Sequence, residues 1–238
     1  MNDMNTRVLN LAYESEPRPA SLIGYIQHST DRGCDPPPLR GGMFDYVLSA
    51  DGLYLHAKRE ELEVCFQIAE AEVRGLAECF ETFEFKLPKV PVDLVDYMLR
   101  TAMSYGANSK ETLFWLQYSE LNIYNGGWLL HEPAQRRRAA SCKPEEGQDE
   151  AYQRTVIEIH SHPYRASAQF SPTDNAEERG FRLYGVIGGL PERPEIRLRV
   201  GCYGYFWEIP ATWALSLPYE LADCNPDSPE VDEEEEAP

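Results

Sequence analysis

The chain has 238 residues, 42% of them hydrophobic and 11% aromatic, enough for one large domain or two small ones whose core needs no disulfide or metal staple. With 22 basic against 40 acidic residues the net charge is −18, which argues against direct nucleic-acid binding, because that depends on Lys and Arg neutralising phosphates. No apolar run reaches the roughly 18 residues of a membrane span and the opening Met-Asn-Asp-Met-Asn-Thr-Arg has no apolar leader, so the expectation is a cytoplasmic protein without membrane contact.

Residues 1–42 carry Pro17, Pro19, Pro36-Pro37-Pro38 and Gly41-Gly42 and read as an irregular arm with one short strand near 22–26. Short β-like runs follow at 44–48, 53–57, 62–68 and 80–85, with Asp51-Gly52 as a hairpin turn between the first two. They predict a small β-rich module over 43–88. Pro88-Lys89-Val90-Pro91 closes it. From Val92 to about Ser104 the apolar residues Val92, Val95, Met98, Leu99 and Met103 fall on one helical stripe.

Strands are predicted at 112–118, 127–131 and 155–160, with a charged loop over 132–153. A helix over 173–181 and strands at 183–188, 196–203 and 205–209 follow. The fold class is therefore α+β, with a main domain over 89–218. Seven acidic residues lie between Asp227 and Glu236, and residues 219–238 read as an acidic, disordered tail. The six cysteines show no C-x-x-C pair, which argues against a zinc ribbon, a redox motif or a secreted disulfide framework; they read as reduced thiols.

One segment carries chemistry: His160-Ser161-His162-Pro163, seven residues, then Ser171-Pro172-Thr173-Asp174. Histidines at i and i+2 on a strand point to the same face, about 7 Å apart, and can converge on one ion. Pro163 places them at a strand end. The loop can fold back to deliver Asp174, and three protein ligands leave a fourth position open, as a catalytic zinc requires. Ser171, Pro172 and Asp174 also make an ordinary helix start. Ser161 faces away from its flanking histidines. His28, His56 and His131 show no such arrangement and read as structural or exposed.

This pattern resembles, residue for residue, the zinc signature of the JAB/JAMM (MPN-type) metalloprotease family: His-Ser/Thr-His-Pro, seven residues, Ser-x-x-Asp. The likeness spans residues 89–218, and the chain as a whole resembles the prokaryotic branch called PRTRC system protein A. The resemblance implies a curved mixed β-sheet flanked by helices, with Zn²⁺ held by His160, His162 and Asp174. It also implies hydrolysis of a peptide or isopeptide bond, often after a ubiquitin-like C-terminus, and Ser171 as the donor to the oxyanion.

The family's general base, a glutamate on the strand after the first helix, falls on Glu111, although Phe114 stands where a small residue is usual. Glu158, Glu120 and Glu132 are the other carboxylates for that role. The resemblance further implies a plasmid-type gene cassette with a ubiquitin-like substrate and a ThiF-like partner. The alternative it leaves is a non-catalytic scaffold binding such a partner. The arginines at 136–138 and Arg165 lie on flanking loops that could line a groove for an extended peptide.

Overall fold

A computed structural model describes residues 21–30, 33–139 and 141–225. The expected strand at 22–26 is β1 (Ile23–Gln27); residues 1–20 of the expected arm and the acidic stretch from 226 onward lie outside the described residues. β1 pairs in parallel with β2 (Phe44–Leu48), which continues antiparallel through β3 (Gly52–Lys58), β4 (Leu62–Glu70) and β5 (Thr82–Phe85) into a five-stranded sheet. The last strand is shorter than the run at 80–85 suggested.

Helix α1 (Val92–Gly106) starts after Pro91 and buries Val95, Met98 and Leu99 of the expected stripe together with Ala102, while Met103 is half-buried and Val92, in the first turn, is exposed. The second sheet comprises β6 (Thr112–Tyr118), β7 (Trp128–His131), β10 (Thr155–Ser161), β11 (Arg182–Gly188), β12 (Glu195–Cys202) and β13 (Tyr205–Ile209). Its order is β13-β12-β11-β10-β6-β7. Among the described residues the architecture is mixed and sheet-rich with three helices, α+β in the broad sense.

The expected loop over 132–153 is structured. It holds a small hairpin, β8 (Gln135–Arg137) and β9 (Cys142–Pro144), and a short helix, α2 (Asp149–Gln153). Its anchor is the buried Gln135 side chain. The amide oxygen accepts from Leu113 N–H at 2.7 Å and the amide nitrogen donates to Leu113 C=O at 3.0 Å, so one side chain pairs with β6 as a neighbouring strand would.

Helix α3 spans Pro172–Glu177 rather than 173–181. It stops because Glu178 turns inward to Arg199 and leaves helical geometry at ψ 86°. At the other end of the chain Leu221 is buried and β14 (Ala222–Asp223) pairs with β12, so packed structure continues past 218, where the main domain was expected to end.

The β-rich module shares its core with the second sheet. One hydrophobic cluster runs from Phe44, Leu55 and Phe66 through α1 to Phe114, Ile159 and Leu198. Phe66 stacks on Trp207 at 5.7 Å, and Tyr46 and Tyr205 share a 2.7 Å hydrogen bond between the two sheets. Cys65 and Cys79 are free, as are the other four cysteines. No described helix is long and apolar enough to cross a membrane.

Candidate metal centre

β10 lies in the middle of its sheet, antiparallel to β6 and parallel to β11, which suits its apolar run Val156, Ile157 and Ile159. The parallel step from β10 to β11 needs a crossover, and residues 162–181 supply it with α3. Ligand sites in such sheets collect at the carboxyl ends of parallel strands, and His160 and His162 sit at that end. Pro163, lacking an N–H, ends the strand after His162 N–H has bonded to Ile187 C=O at 2.8 Å.

The candidate ligand atoms of His160, His162 and Asp174 all lie within 4.8 Å of one another, so the group could hold a metal ion. His160 Nε2 is 3.6 Å from Asp174 Oδ1. That nitrogen is buried and has no hydrogen-bond partner among the described residues, which a polar atom in a protein interior rarely tolerates. Burial, with the neighbouring His162 and Arg199, pushes the His160 imidazolium down to about 4 against the pull of Asp174. The ring is therefore neutral at pH 7, the form that binds a metal.

His162 is oriented from behind. Its Nδ1 donates to Ser167 C=O at 2.7 Å, which fixes the tautomer and leaves the Nε2 lone pair for an ion. The contact depends on Gly188: a Cβ there would lie 2.2 Å from Ala168 N and 2.4 Å from Ser167 C. Asp174 is oriented by the helix start. Its Oδ2 accepts Ser171 N–H at 2.5 Å while its own N–H donates to Ser171 Oγ at 3.2 Å, a complete capping box. Oδ1 stays available.

α3 is held in turn by Arg199 on β12. Its guanidinium is sandwiched between Phe170 and Phe206, 3.7 and 3.9 Å from the ring centroids, and donates to Asn175 Oδ1 and Glu178 Oε2. Neither Arg199 nor Glu178 exposes more than 4% of its surface.

His160, His162, Ser171, Asp174 and Glu178 line a cavity of about 700 Å³, with Glu111 and Glu158 in the same lining. Glu111 immediately precedes β6 and its backbone N–H bonds to Arg138 C=O at 2.9 Å. The residue is 8% exposed, and burial followed by the Asp174 and Glu177 carboxylates pushes its carboxyl up to about 7. That is where a general base at neutral pH works best; a divalent cation held beside it would favour its ionised form.

The remaining candidates separate by position. Glu158 lies deeper on β10 and accepts the Trp115 indole N–H at 3.1 Å. Glu132 pairs with Arg137, and Glu120 is exposed in the loop after β6; neither lines the cavity. Ser161 is fully buried and its Oγ accepts Thr112 N–H. His28 and His56 are buried, and His131 packs against Trp115 with the rings tilted, centroids 5.6 Å apart.

The loops that carry the arginines reach the cavity, but Arg136, Arg137, Arg138 and Arg165 are not in its lining. Arg137 instead lies over the Tyr105 ring at 4.1 Å and donates to Thr112 Oγ1 at 3.2 Å, fastening the hairpin to β6. The wall that the sequence missed comes from residues 139–152, including Cys142, Asp149 and Tyr152. Comparison of the chain with family models and with curated proteins finds no match.

Proposed function

We propose that the protein is a zinc-dependent peptidase or isopeptidase of the JAB/JAMM kind, built on that family's curved sheet. The supporting observation is the buried, unpartnered His160 Nε2 facing Asp174 and His162 in a cavity that also holds Glu111. Two imidazoles and a carboxylate form the donor set of catalytic zinc sites, with a position left for substrate. Zinc held there would polarise the scissile carbonyl and acidify water at that position.

The chain's own residues supply the rest. Glu111 takes the proton from the attacking water and returns it to the departing amine, base first and acid second. Ser171 Oγ uses a lone pair for Asp174 N–H, so its proton is free to meet the negative charge developing on the carbonyl oxygen. The bond cleaved follows the C-terminus of a ubiquitin-like protein, and a ThiF-like protein of the same cassette is the partner.

The test is zinc per chain by elemental mass spectrometry, beside cleavage of a ubiquitin-like fusion. Wild type should carry one zinc, His160→Ala almost none, and Glu111→Gln one zinc without turnover. Equal zinc in wild type and His160→Ala would overturn the reading.

A further inference from the structure

The cavity extends past the histidines and Asp174 along the same face of β10. The next side chain on that face is Glu158, about 7 Å from His160 along the strand. Its Oε2 takes the Trp115 indole N–H. Trp115 and Tyr152 line the cavity beside it, ring centroids 5.3 Å apart. The volume of about 700 Å³ holds more than a metal centre needs and falls in the ordinary range of about 300–1,000 Å³ for ligand cavities.

The charge of this lining is one-sided. Eight of its side chains are Asp or Glu, and among the described residues none is Lys or Arg. Asp174 belongs to the capping box, Glu177 pairs with Lys143 and Glu178 with Arg199. Glu111, Glu145, Glu146, Asp149 and Glu158 have no ion-pair partner among the described residues. Arg182 attracts Glu158 from outside the lining. Its guanidinium lies over the Tyr152 ring at 4.0 Å, with Nη1 committed to the Tyr152 carbonyl.

We propose that this end of the cavity is a recognition pocket for a basic side chain, Lys or Arg, next to the scissile bond. Glu158 reads the charge, and Trp115 and Tyr152 form walls for the methylene stem. The proposal rests on the metallohydrolase reading and adds the substrate class, a peptide segment with positive charge at the cleavage site. An alkyl stem suits aromatic walls, and a terminal cation gains from both the ring faces and the carboxylate. A side chain of equal length without charge would desolvate Glu158 and give nothing back, which is how a polar pocket rejects an apolar isostere.

The test titrates zinc-loaded full-length protein with acetohydroxamate, N-acetyl-norleucine hydroxamate and N-acetyl-lysine hydroxamate by calorimetry. The lysine compound should bind at least tenfold more tightly than the norleucine compound, and Glu158→Gln should shrink that ratio below threefold. A wild-type ratio near one, or a ratio unchanged in Glu158→Gln, overturns the proposal. The wild-type comparison stands alone if the variant fails to fold.

Acetohydroxamate has no side chain, so its failure to bind counts against the metal centre instead. In that case n-butylammonium and 1-butanol, added to metal-free ¹⁵N-labelled protein, decide the matter at the Trp115 indole resonance. A saturable shift from the ammonium alone, lost in Glu158→Gln, supports the pocket. No shift, or equal shifts, overturns it.

Discussion

Arg199 directs two donors, Nε at 2.8 Å and Nη2 at 2.6 Å, to the same oxygen of Glu178, joining β12 to the chain just past α3. The same guanidinium reaches Asn175 within the helix and stacks on Phe170 ahead of it. Both flanks of the helix that presents Asp174 are thus pinned to the sheet by one side chain.

Removing that pin should cost more than the contacts alone. Arg199→Met leaves Glu178 buried without a counter-charge, and breaking a buried pair in this way costs about 3–5 kcal/mol. Urea unfolding should show the loss, and zinc affinity by chelator competition should fall at least tenfold. The double variant Arg199→Met with Glu178→Gln should recover most of the stability. A double variant no better than the single one would show that the uncompensated charge is not the cause.

Glu111 should reveal itself in how stability depends on pH. Its folded carboxyl titrates at about 7, above the ordinary value of 4.5. Protons are therefore bound more tightly in the folded state, and stability is lost as pH rises from about 4.5 to about 7. Glu111→Gln removes this penalty. In metal-free protein the variant should gain about 1–3 kcal/mol on wild type between pH 5 and pH 8. Parallel pH profiles of the two proteins would refute the burial argument.

Gly188→Ala tests the support behind His162. The added methyl would meet the backbone of Ser167 and Ala168, and forcing extra volume into a tight contact costs about 1–3 kcal/mol. Because Ser167 C=O orients His162, zinc should also dissociate faster, measurable by exchange into a chromogenic chelator. Unchanged dissociation would mean that His162 does not depend on this contact.

Ser171 combines a structural and a chemical role that two substitutions separate. Ser171→Ala should lose about 1 kcal/mol with the cap, whereas Ser171→Gly should lose only a few tenths. Both should lower kcat about 100- to 1,000-fold with KM little changed, the signature of a missing oxyanion donor. Turnover that tracked stability across the pair would assign Ser171 to the cap alone.

Much of the second sheet and of the candidate site is legible in the sequence. The strands of the second sheet follow apolar runs bounded by turns, and His160, His162, Ser171 and Asp174 announce themselves because a strand end and a helix cap each leave a local pattern. The hairpin over 135–144 leaves none. Strands of three residues are too short for a period, and Gln135 reaches β6 through a side chain rather than a ladder. The early end of α3 depends on Arg199, 21 residues downstream of Glu178, and no local propensity reports a partner at that distance. The arginine run looked like a groove because charge in a loop reads as solvent-facing, yet Tyr105 and Thr112 draw Arg137 onto the protein.

The stacked pair Phe66 and Trp207, with the tyrosine bridge beside it, makes the border at residue 88 a poor place to cut. A chain begun at residue 89 would present Trp207 and the adjoining apolar face to water, so self-association would compete with folding. The first sheet is best regarded as the lining of a shared interior. Substitutions in β4, which contributes nothing to the candidate metal centre, can therefore weaken that site by loosening the scaffold on which it is held.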